Sequence, residues 1–233
     1  MQAKQIWDFT EEEKGLITSL VAKGRAEQAK NEKFAIIDFD SFYKLFTDKE
    51  AAIMKKWLAI KPEDIDYKLP FLGAKDSSND IVAIANQTYT ANGHPQIIPC
   101  QYLPKDVYEA YQRLNKAMQE DIGKNLLVLF GHRSPARQVF LFFDILERIY
   151  DFDFNKTIQR VCFPDYSEHV CTQRQAIDFK TQDGLSSDEF DTAQEYAWLQ
   201  ENAKQFGFYE SYTKNNQLGM MYEPWHWHYE ASV

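Results

Sequence analysis

Two short segments carry imidazoles and carboxylates at spacings that could hold a metal ion and move a proton beside it. Toward the C-terminal end, Glu223-Pro224-Trp225-His226 sets a carboxylate three residues before an imidazole. In a catalytic zinc site one such residue can bind the metal while its neighbour accepts a proton from water. Upstream, Ser167-Glu168-His169 runs on to Ala176-Ile177-Asp178 and offers a second imidazole and a carboxylate oxygen, both acceptable zinc ligands. Two histidines and one aspartate make a catalytic set: three protein ligands leave a fourth position for water, whose pKa zinc lowers to about 7.

Neighbouring residues carry competing readings. His228 lies two positions after His226, so in an extended strand both point to one face and either could reach a metal. Cys162 and Cys171 flank His169, but soft thiolates favour a closed structural zinc with no open position. A disulfide between those two cysteines, stapling the loop, is the reading for an exported chain. Asp38-Phe39-Asp40 follows an apolar run like a phosphatase-type carboxylate pair, yet no phosphate-binding loop accompanies it, and an ordinary strand end explains it. Trp225, Trp227, Tyr222 and Tyr229 read as core and groove wall.

The elements that must position these residues follow from periodicity and end signals. Thr10 with Glu13 has the form of a capping box ahead of a helix from about Glu11 into the 20s. Phe34 to Phe39 reads as a short strand, and Asp48 as the cap of a helix reaching about Ile60. Asn92-Gly93 between two β-prone runs predicts a hairpin. A long helix is expected from Pro104 to Gly123, a buried strand over Leu126 to Phe130, and a helix started by Ser134-Pro135 and ending near Tyr150. A last helix is expected over Asp188 to Phe206, stopped by Gly207, followed by β-prone segments at Phe208 to Tyr212 and Met220 to Tyr229. Without a strict βαβ rhythm, the fold class is α+β: a small antiparallel sheet flanked by helices, with a mainly helical N-terminal extension over residues 1–80 and the remaining domain over 81–233.

Composition narrows the partners. The chain has 233 residues, 44% of them hydrophobic, enough to fill a real core. A net charge of −9 argues against a nucleic-acid partner, because phosphate binding draws on clustered Lys and Arg. No apolar run reaches the length of a transmembrane segment, and the first residues form no signal segment. That pattern suits a cytoplasmic protein, or a periplasmic or otherwise extracytoplasmic one whose signal precedes this sequence. Three cysteines do not make a disulfide framework, and a monomer is expected.

Three blocks, taken in order, resemble the zinc D-Ala-D-Ala carboxypeptidase family (peptidase family M15), which includes vancomycin-resistance carboxypeptidases and dipeptidases, L,D-carboxypeptidases and phage endolysin peptidases. They are Gly131-His132-Arg133-Ser134 with Gln138, then SEHVCTQRQAID, then EPWHWHY. The likeness spans about Gln96 to Tyr229, and the first eighty or so residues lie outside it. Two departures stand out. The spacer from His169 to Asp178 is two residues longer than the family's and lacks its glycine, which makes Asp165 the nearest alternative carboxylate, and His132 and Pro135 replace residues that are more often aromatic.

The resemblance implies a metallopeptidase cleaving bonds next to D-amino acids in peptidoglycan stem peptides or muropeptides. It implies Zn2+ held by His169, Asp178 and His226, Glu223 as general base and Arg133 as oxyanion stabiliser. Ser167, Gln138 and His228 are implied as substrate contacts, the last because the family often carries Arg there. Two rival functions remain, a zinc-containing module that binds peptidoglycan without cutting it and a cytoplasmic D-Ala-D-Ala dipeptidase. The presence of both Glu223 and Arg133 favours catalysis.

Overall fold

The computed structural model describes residues 8–61, 67–73 and 80–231, which divide into two compact units. The first unit draws on the described residues within 1–74, 134–167 and 217–221 and is helical. Helix α1 (Glu11–Gln28) opens on the expected capping box, in which the Glu13 N–H donates to Thr10 Oγ1 and the Thr10 N–H donates to Glu13 Oε2. The expected strand at Phe34 to Phe39 does not form. A 3-10 turn, Phe34–Ile36, is followed by α2 (Phe39–Tyr43), whose N-cap Asp38 accepts from the Ser41 N–H at 2.7 Å. An apolar run this short has no period to separate strand from helix, and the cap decides the outcome. In α3 (Asp48–Leu58) the cap is Thr47, one residue ahead of the expected Asp48, and it forms a second box with Glu50.

The core of this unit is aromatic. Trp57 of α3 stacks between Phe163 and Phe142, the latter on α5 (Pro135–Arg148), with ring centroids 4.8 and 4.2 Å away. The α5 helix starts as expected, Ser134 Oγ accepting from the Arg137 N–H, and a short α6 (Phe154–Ile158) adds Phe154 to the cluster.

The second unit draws on the described residues within 75–133, 168–216 and 222–233. Strand β1 (Ile81–Ile84) pairs antiparallel with β4 (Gln101–Pro104), and β2 (Thr88–Ala91) with β3 (His94–Ile97) forms the expected hairpin. Its turn residues Asn92 and Gly93 both take positive φ, 51° and 76°. Helix α4 (Lys105–Ile122) ends on left-handed Gly123. Its Val107, Leu114 and Met118 join Val128 of β5 (Leu126–Phe130) and Phe179 of β6 (Ala176–Thr181) in one apolar cluster.

Strands β5 and β6, with β7 (Phe208–Glu210) and β8 (His226–Tyr229), form an antiparallel sheet in the order β5-β6-β8-β7. The expected helix over Asp188 to Phe206 is broken. A 3-10 segment, Ser187–Thr192, leads to α7 (Gln194–Asn202) and a second 3-10 turn, Ala203–Phe206, stopped by left-handed Gly207. The Thr192 hydroxyl donates to the Glu189 carbonyl, one of the local side-chain bonds that compete with a regular helix. Helices with small antiparallel sheets make the fold α+β. Among the described residues no helix is long and apolar enough to cross a membrane.

Candidate metal centre

Strand register builds the site. Asp178 on the central strand β6 sits directly opposite His226 on β8, and β5 ends with Phe130 paired to the same Asp178 after a bulge. Asp178 Oδ1 lies 2.8 Å from His226 Nδ1 and 3.2 Å from His169 Nε2. One ligand atom from each of the three residues falls within 4.8 Å of the others, and all three side chains are buried. This trio is the only such group among the described residues.

The loop after β5 fixes His169. Gly131 O lies 2.8 Å from His169 Nδ1; a carbonyl only accepts, so Nδ1 carries the proton and Nε2 keeps its lone pair toward Asp178. The Arg133 N–H donates back to the His169 carbonyl at 3.0 Å. A Cβ at Gly131 would lie 2.3 Å from the Tyr102 carbonyl oxygen, so this close approach admits only glycine. The sequence pattern thus places its glycine where backbone must meet both β4 and a ligand imidazole.

Glu223 and His226 share a turn in which the His226 N–H donates to the Glu223 carbonyl at 3.0 Å, while the Glu223 N–H donates to Tyr212 O. The turn brings Glu223 Oε2 to 3.7 Å from His226 Nδ1. Arg133 Nη2 stands 3.9 Å from Asp178 Oδ2, with its guanidinium over the Phe130 ring. A carboxylate and a guanidinium therefore flank two imidazoles and a second carboxyl group.

Electrostatics tie these groups together. Burial disfavours charge on Asp178, but His169 and His226 hold it well below the usual carboxylate range. Burial works against His226 as well, yet Asp178 and Glu168 push it up to about 10, whereas burial together with Arg133 pushes His169 down to about 4. Glu168, despite burial, is held at about 2, chiefly by His226.

The structure brings His169, Asp178, His226, Glu223 and Arg133 into one unit. Ser167 and Gln138 belong to the helical unit, where the buried Gln138 amide donates to the Cys162 carbonyl. Asp165 is also in that unit, its carbonyl accepting from the Leu72 and Gly73 N–H groups, so Asp178 is the carboxylate within the donor trio. His228 is buried, with Nδ1 2.7 Å from Ser211 Oγ. Cys162 and Cys171 are both thiols, so the disulfide considered for them is not formed. Asp38 is a helix cap, not a strand end.

Sequence reasoning gave no role to Glu168, whose Oε2 lies 2.9 Å from His226 Nε2, nor to Arg174, whose Nε donates to Glu168 at 2.7 Å. The SEH block contained Glu168, but only the folded turn shows that it faces the other histidine.

Residues 100–232 match the family described as VanY, D-alanyl-D-alanine carboxypeptidase. A Bacillus subtilis (strain 168) protein named "Putative carboxypeptidase YodJ" is 25% identical over 179 residues, which cover 70% of this chain and 64% of that protein. The chain thus aligns with less than two thirds of that relative's length. A solved structure of the LdcB LD-carboxypeptidase, described as revealing the molecular basis of peptidoglycan recognition, superposes with a TM-score of 0.54 at 24% identity, covering 68% of this chain and 74% of that one. A vancomycin-resistance D,D-pentapeptidase VanY solved with Zn(II) gives a TM-score of 0.48 at 22% identity, covering 71% and 89%.

Proposed function

This chain belongs to the D-alanyl-D-alanine carboxypeptidase family, and from that premise we propose that it is a zinc metallo-carboxypeptidase acting on peptide bonds next to D-amino acids in peptidoglycan stem peptides. The observation that carries the reading is the buried convergence of His169 Nε2, Asp178 Oδ1 and His226 Nδ1. Two imidazole nitrogens and one carboxylate oxygen are the donor chemistry of a catalytic zinc, and the His169 tautomer set by Gly131 already points the correct nitrogen inward. Zinc bound there would act as a Lewis acid on water and on the scissile carbonyl.

The chain's own residues supply the rest. Glu223 takes the proton of the attacking water on its carboxylate and delivers it to the departing amine, which preserves the balance of charge through both steps. Arg133 directs its guanidinium donors to the carbonyl oxygen as negative charge develops on it, an interaction stronger in the transition state than in the bound substrate. The bulge at the end of β5 and the 3.0 Å bond from the Arg133 N–H to the His169 carbonyl fix where that side chain starts. We assign the peptidase domain to residues 81–233, with 1–80 as an N-terminal extension whose described helices share the core of the helical unit with residues 134–167.

Incubating the protein with defined muropeptides, with and without zinc, and identifying the products by mass spectrometry tests the reading. Zinc-dependent loss of a terminal D-amino acid is expected. Intact muropeptides at full zinc occupancy would leave a binding module instead.

A further inference from the structure

Glu168 is buried at 6% exposure, next in sequence to His169 but turned toward His226. Its Oε2 lies 2.9 Å from His226 Nε2 and accepts from Ser211 Oγ at 2.5 Å, while its Oε1 accepts from Arg174 Nε at 2.7 Å. Arg174 comes from the 3-10 turn Thr172–Arg174 between His169 and β6, and its far end also pairs with Glu230. The Ser211 hydroxyl has one proton, which goes to Glu168; the 2.7 Å contact with His228 Nδ1 is therefore donated by His228. The Glu168 backbone is held too, its carbonyl accepting from the Ala176 N–H at the start of β6.

The chemistry of such a carboxylate is specific. An imidazole can present either nitrogen to a ligand, and a carboxylate on one nitrogen keeps a proton there, leaving the lone pair on the other. With Glu168 keeping a proton on Nε2, the nitrogen that a metal can take once it displaces the other proton is Nδ1, the atom that faces Asp178. A carboxylate buried without partners would be costly, and the contacts from Arg174 and Ser211 remove that cost.

We propose that Glu168 is a positioning residue that fixes the ring and tautomer of His226, and that Arg174 and Ser211 hold Glu168 in place for it. The inference rests on the zinc reading above, and the test separates the two. Zinc affinity of the full chain is measured by chelator competition in wild type, Glu168→Gln, Arg174→Ala, Arg174→Lys and Ser211→Ala, alongside the visible spectrum of the cobalt(II)-loaded forms. Glu168→Gln keeps the shape but not the charge, and zinc affinity should fall about 10- to 100-fold with shifted cobalt bands. Arg174→Ala should fall less in the same direction, and Arg174→Lys should recover part of the loss.

If Glu168→Gln does not fold, Arg174→Ala and Ser211→Ala carry the test, since the Arg174 side chain is 31% exposed. A residue with only a structural role would lower the melting temperature while leaving affinity and spectrum unchanged. Variants that bind zinc as wild type does, with wild-type cobalt spectra, overturn the inference alone. A wild-type chain that binds no zinc overturns the metal reading and this inference with it.

Discussion

At the centre of the helical unit lie Trp57, Phe142 and Phe163, stacked without a charged group between them, and its ion pairs Lys23–Glu50 and Arg25–Asp144 each keep one partner 40% exposed or more. The sheet unit is different at one end. His169, Asp178, His226, Glu168 and Glu223 all lie at 4–6% exposure and are linked by contacts of 2.8 to 3.7 Å across β6, β8 and their loops. Charges taken out of water cost stability unless each finds a partner, so the first unit follows the stability optimum while the second departs from it. That departure is what the proposed metal centre requires.

The contrast predicts different damage in the two regions. Glu223→Ala should lower turnover about a hundredfold to ten-thousandfold while zinc content stays the same, as read by steady-state kinetics with elemental analysis. A loss under tenfold would remove Glu223 from its role as base. Trp57→Ala should instead cost about 3–5 kcal/mol in denaturant unfolding, the price of an aromatic cavity, while the folded fraction retains its zinc affinity. Equal loss of zinc affinity would mean that the apolar cluster shapes the metal centre.

Arg133→Ala should lower kcat about 10²- to 10³-fold with zinc retained, and Arg133→Lys should not rescue it, because the ammonium lacks the planar fork of donors. A rise confined to KM would make Arg133 a substrate anchor.

The smallest effect concerns protons. The His226 pKa is raised from 6.5 to about 10, so in the metal-free protein its contribution to stability is complete below 6.5 and lost as pH rises through about 10. Zinc must displace that proton, whereas His169, pushed down to about 4, is already neutral at pH 6. Titration calorimetry in buffers of different ionisation enthalpy should then show about one proton released per zinc at pH 6, below the pKa of about 7 of a zinc-bound water, and affinity rising up to tenfold per pH unit as pH increases. Release of two would place His169 in the charged form.

The same contrast governs what the sequence reveals. The capping box at Thr10, the Asn92-Gly93 hairpin and α4 between Pro104 and Gly123 are legible because each rests on residues a few positions apart. The Phe34 to Phe39 segment is misread for the same reason, since six apolar-rich residues carry no period long enough to decide. Strand β6 has no clear alternation because all six of its residues, Asp178 and Lys180 included, are buried. The donor trio was legible as residue types and ordered blocks, whereas the pairing of Asp178 with His226 comes from strand register across 48 positions. Glu168, Arg174 and Ser211 were silent because which of two adjacent side chains faces His226 depends on local backbone direction alone.

The central claim is that one zinc ion is held by His169, Asp178 and His226, and elemental analysis of the purified chain after equilibration with zinc and removal of excess tests it most directly. Wild type should carry about one zinc per chain, and a folded His169→Ala/His226→Ala double variant should carry almost none, because one carboxylate alone cannot make a catalytic site. Full zinc occupancy in that double variant would contradict the assignment.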